Sequence, residues 1–60
     1  MTFAAEIASL ELSIQECIED RDATYLNFDL TEAEVMEDVA YYDNFIEQAR
    51  ERIRALRLWL

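Results

Sequence analysis

Eight apolar residues recur at intervals of four and three without a fault: Val35, Val39, Tyr42, Ile46, Ala49, Ile53, Leu56 and Leu60. Only a helix brings residues at this spacing onto one side, so the pattern predicts a helix with a heptad seam that must be buried against another helix. Its start is encoded twice. Thr31 and Glu34 match the S/T-x-x-E capping box, and Leu30 and Val35 occupy the two positions of a hydrophobic staple. Acids in the first turns and arginines in the last complement the helix dipole. The second helix is therefore expected over about residues 32–58.

A second periodic segment precedes it. Phe3, Ile7, Leu10, Ile14, Cys17 and Ile18, followed by Tyr25 and Phe28, fall on one face at about 100° per residue. A first helix is expected over about residues 3–26, with Thr2 as its N-cap. Residues 27–31 are left for the turn. Asn27 is the best available left-handed cap in a chain without glycine, and Asp29 can close a local turn. A connection this short makes the helices antiparallel neighbours. The expected fold class is all-α, an antiparallel two-helix hairpin forming a single domain over residues 1–60.

Folding about position 29 pairs residues whose numbers sum to roughly 59. Phe3 then meets Leu56, Ile7 meets Ile53, Leu10 meets Ala49 and Ile14 meets Ile46. Glu6 lands beside Arg52 and Arg54. Arg21, near the middle of the apolar face, lands opposite Asp38, so an interhelical Arg21–Asp38 ion pair is expected near the turn.

Composition matters next, because it limits how so short a chain can be stable. Sixty residues bury only about 60% of the surface that the unfolded chain exposes. Small scaffolds usually add a disulfide, a metal or an oligomer partner. One cysteine, Cys17, allows no intrachain disulfide, and the absence of histidine removes the commonest ligand for zinc, iron and copper. Oligomerisation is the remaining route. Met36, Tyr41, Phe45 and Trp59 lie on flanks of the seam that one partner helix cannot cover. Together with the terminal Leu60 they are the expected interface. Two hairpins would pair as a C2-symmetric homodimer, a four-helix bundle, with a tetramer as the alternative assembly.

The same composition argues against catalysis. The chain has no histidine and no lysine, and the hydroxyls of Ser9 and Ser13 have no neighbouring base on their helix face. No catalytic, cofactor-binding or metal-binding residue is expected. Residues 20–25 open superficially like a calcium loop, but Tyr25 stands where glycine is required and no glutamate falls at the twelfth position. Cys17 reads as a small core hydrophobe rather than a redox group. No apolar run reaches the 18 or so residues of a membrane span, and the acidic N-terminus is no signal peptide, so a cytoplasmic location is expected.

Charge narrows the partners. Residues 1–49 hold thirteen acids against Arg21, and residues 50–60 hold Arg50, Arg52, Arg54 and Arg57 against Glu51, for a net −9. Such a balance repels phosphate backbones and anionic membranes. The arginines spread around their helix and are expected to pair with Glu6, Glu47 and Glu51, so direct nucleic-acid binding is not expected. The acidic surface reads as a solubilising coat, with mimicry of nucleic acid as the sharper alternative.

In length, in its two helical patterns and in its short turn, the chain resembles plasmid copy-number regulators of the Rop type, which implies a hairpin dimer. That family reads RNA with basic and polar residues on its first helix. Here that helix carries Glu6, Glu11, Glu16 and Glu19 with only Arg21, so RNA binding is not carried over. In style (short, acidic, helical, without catalytic motifs) the chain also resembles small early-region proteins of lambda-like phages. That resemblance implies a regulator contacting a host protein. The expected function is a non-enzymatic protein-interaction module. The alternatives are an acidic inhibitor or DNA mimic occupying a nucleic-acid-binding protein, and a subunit of a larger helical assembly docked through Trp59 and Leu60.

Overall fold

The computed structural model describes residues 2–59. Helix α1 runs over Phe3–Tyr25 and helix α2 over Glu32–Arg57, and they pack against each other. Among the described residues there is no strand. The pair forms a rod with principal extents of 44 × 14 × 13 Å.

Each helix begins as its residues dictate. The Thr2 side chain accepts the Ala5 N–H at 3.0 Å. At α2 the capping box closes in both directions: Thr31 Oγ1 accepts from Glu34 N, and Glu34 Oε1 accepts from Thr31 N, both at 3.2 Å. Two N–H groups that no earlier carbonyl can reach are thereby satisfied. Leu30 and Val35, the expected staple, are both half-buried.

The turn differs from expectation. No described residue has positive φ, so Asn27 is not a left-handed cap. The helix instead ends at Leu26 in the right-handed region, with its N–H donated to Ala23 O. Asn27 Oδ1 accepts the Asp29 N–H at 3.1 Å, and the Leu30 N–H reaches Asn27 O. A side-chain-closed turn reverses the chain without the steric cost of a non-glycine residue at positive φ.

The core is Ile7, Ile14, Ile46, Ala49, Ile53 and Leu56, with Leu10, Cys17 and Ile18 packed against it. The six buried among the described residues lie in the half of the rod away from the turn. Toward the turn, Val35, Val39 and Tyr42 are only half-buried. Phe3, Tyr25 and Phe28, expected on the buried face, are exposed. Phe3 opens α1 at the end of the rod away from the turn, and Phe28 lies in the turn itself.

Among the described residues, three interhelical ion pairs hold the flanks. Arg52 Nε meets Glu6 Oε2 at 3.1 Å, as expected. Arg57 pairs with Glu11 at 3.2 Å. The pair expected at Arg21–Asp38 does not form: Arg21 Nη1 instead donates to Asp43 Oδ1 at 2.7 Å, with Asp22 at 3.5 Å from Nε. Helical side chains lean toward their own N-terminus. On α1 that direction runs toward higher numbers on the antiparallel α2, so the long guanidinium arm overshoots residue 38 by about one turn. Asp38 also stands about 140° around α2 from Asp43, on the other flank.

Candidate functional site

Two flanks of α2 border the seam, and they differ in chemistry. Asp43, Glu47, Arg50 and Arg54, spaced four, three and four, form the first. With Arg21 and the buried Ile46 they line an open recess of about 370 Å³. Arg21 spans to Asp43 here, and that contact holds its guanidinium pKa above the usual value. Arg50 and Arg54 make no ion pair among the described residues. The sequence reading assigned the C-terminal arginines to Glu6, Glu47 and Glu51. Only Glu6 is used, and Glu11 replaces the others, because Arg57 and Glu11 both lean toward the level of Ile53 and Ile7. The recess carries carboxylates and guanidiniums with neither imidazole nor hydroxyl, so the chemistry it offers is charge recognition.

The second flank is aromatic. Tyr41 and Phe45 are four residues apart and lie within about 40° of each other around α2, and Trp59 follows just beyond the end of that helix. Tyr41 is 72% exposed, Trp59 76% and Phe45 38%. The Tyr41 ring meets Tyr42 edge-on, with centroids 5.6 Å apart and planes at 74°. Tyr41 is thus oriented by the seam, while its other face is open. Arg52 stands between Phe45 and Trp59, and Asp38 precedes Tyr41 on the same side. Two of the expected interface residues, Tyr41 and Phe45, thus share one flank of α2, and Trp59 is exposed beyond its end.

Met36 does not join them. It is 65% exposed but lies about 140° around α2 from Tyr41, nearer the charged flank. Leu60 lies outside the described residues. Sequence reasoning missed that Asp38 belongs to the aromatic flank. The signal was present, since residues 38, 45 and 52 are spaced by heptads.

Cys17 is a free thiol, half-buried against the core. Beside it Tyr42 is half-buried, and burial raises its pKa, with the carboxylates of Asp20 and Asp38 adding to the shift. Helix α1 runs without interruption through Asp20–Tyr25, so the acids there are carried on a helix and not a loop. No group of three or more cysteine, aspartate or glutamate residues among those described is placed to hold a metal ion. No described helix is long and apolar enough to cross a membrane. No protein-family model matches the chain, and neither does any curated protein or solved structure.

Proposed function

We propose that this chain is a non-enzymatic protein-interaction module that works as a homodimeric helical bundle. The observation that carries the reading is the aromatic flank of Tyr41 and Phe45 on α2, with Trp59 just past the helix end, all three left exposed by α1. Surface area supports it. A compact monomer of 7.1 kDa exposes about 4,100 Å², whereas this chain exposes 4747 Å². The excess, about 650 Å², is close to the roughly 800 Å² that each partner buries in a standard interface. The buried core also stops short of the turn, and a second hairpin would complete it. The role fits a phage-encoded regulator that contacts a host protein through faces outside the dimer.

Sedimentation equilibrium at micromolar concentration tests the assembly. A species of about twice the 7.1 kDa chain mass is expected, and Phe45→Glu should shift it toward monomer. A folded monomer across that range sinks the reading.

One observation favours a second reading, an acidic inhibitor that occupies a nucleic-acid-binding protein. Residues 16–44, the half nearest the turn, hold ten acids against Arg21, while the rest of the chain holds four acids against four arginines. The whole net charge of −9 is thus gathered at one end of the rod. Binding of that kind collapses as salt rises toward 1 M, where the screening length falls to about 3 Å. Apolar docking persists.

A further inference from the structure

We infer that the second copy lies on the aromatic flank with its turn at the opposite end of the bundle, so that α2 runs antiparallel across the partner's α2 with Phe45 at the dyad. The inference rests on the dimer reading above and adds its geometry. Two C2 arrangements would cover this flank. With both turns at one end, α2 crosses the partner's α1, and the acidic halves stack directly. Asp38 then faces the partner's Asp20, and a side-chain charge of −9 confronts another −9 at bundle distance. Like charges so placed disfavour the complex.

With the turns at opposite ends, each acidic half lies against a half whose side-chain charges cancel. The sequence pattern along α2 suits this arrangement residue by residue. Antiparallel helices related by a dyad at Phe45 pair residues whose numbers sum to 90. Phe45 packs on itself, and Asp38 meets the partner's Arg52. Both are on the aromatic flank. Asp38 has no ion pair among the described residues, and the Arg52 side chain, although bonded to Glu6, keeps donors free on a group 58% exposed. Trp59 comes level with the partner's Thr31, beside Leu30, which its own hairpin covers only in part. Across the other helix pair the same dyad brings Ser13 toward the partner's Cys17, two small residues that permit close approach.

Two measurements test it. The first is a spin-label distance in a Cys17→Ala, Asp29→Cys chain. Residue 29 is sixteen residues from the dyad, so two labels should stand about 48 Å apart. Turns at one end would bring them within about 20 Å, two helix diameters, and would overturn the orientation while leaving the dimer intact. A monomer would overturn the dimer reading and this one together. If the labelled chain does not fold by circular dichroism, isotope-filtered NOEs in a mixed dimer of the unaltered chain replace it. Contacts between Trp59 and the partner's Leu30 are expected, and contacts between the two Phe28 rings would refute the arrangement.

The second measurement separates a specific pair from general repulsion. Asp38→Arg and Glu37→Arg change net charge equally, and general repulsion predicts that both tighten association. The Asp38–Arg52 pair predicts that Asp38→Arg alone weakens it, by about tenfold because both copies of the pair are lost. Equal tightening by the two substitutions would show that Asp38 does not meet the partner's Arg52.

Discussion

Arg21 on α1 is bonded to Asp43 on α2, Nη1 to Oδ1 at 2.7 Å, and this contact links the two helices on the turn side of the buried core. Arg21 is the only base in the half of the chain that holds ten acids. Its loss would leave that half uniformly negative, so the pair both bridges the helices and relieves repulsion between their acidic ends.

A double-mutant cycle of Arg21→Met with Asp43→Ala should therefore show favourable coupling. The coupling should shrink as salt is raised from about 0.1 M to about 1 M, because both groups are partly open to solvent. The same cycle with Asp38→Ala in place of Asp43→Ala should be additive. Urea denaturation midpoints at the two salt concentrations provide the measurement, and coupling to Asp38 would contradict the observed pairing.

Ile46 is only 4% exposed and lies in one cluster with Ile14, Ile53 and Leu56. Ile46→Ala should cost about 2–5 kcal/mol, the usual penalty for truncating a large core residue. For a domain whose whole stability is about 5–15 kcal/mol at most, that loss should be plain in a thermal melt. An unchanged melting temperature would mean that the seam is not the core.

Tyr42 provides an alkaline signature. Burial, aided by Asp20 and Asp38, raises its pKa above the ordinary value of 10.0 in the folded chain. Below about pH 10 the phenol is protonated whether the chain is folded or not, and its contribution is fully present. As pH rises further the unfolded chain loses the proton first, so stability falls until the folded phenol also ionises. Thermal melts from about pH 8 to about pH 11 should show this decline, and Tyr42→Phe should flatten it. An identical decline in both chains would assign the effect to other groups.

The helices were legible in the sequence because their causes are local. The 4-3 repeat from Val35 onward, the Thr31–Glu34 box and the Thr2 cap depend on residues within a turn or two of one another, and each is found where its spacing places it. The buried residues of α2, Ile46, Ala49, Ile53 and Leu56, are consecutive members of that repeat. What a short turn implies, two antiparallel helices, follows from the length of the connection alone.

Partner choice between the helices was decided only in three dimensions. Counting residues about the turn brings Arg21 level with Asp38, but the lean of helical side chains and the angle around α2 give it Asp43 instead. The same geometry separates Met36 from Tyr41 and moves Asp38 onto the aromatic flank. The turn likewise closes through the Asn27 side chain rather than a left-handed backbone, because a side-chain acceptor satisfies the Asp29 N–H without the strain of positive φ. Periodicity sets which face of a helix is apolar, since that depends only on the chain's own spacing. Which charged group meets which depends on side-chain reach and direction across the interhelical gap, and those exist only once the helices are packed.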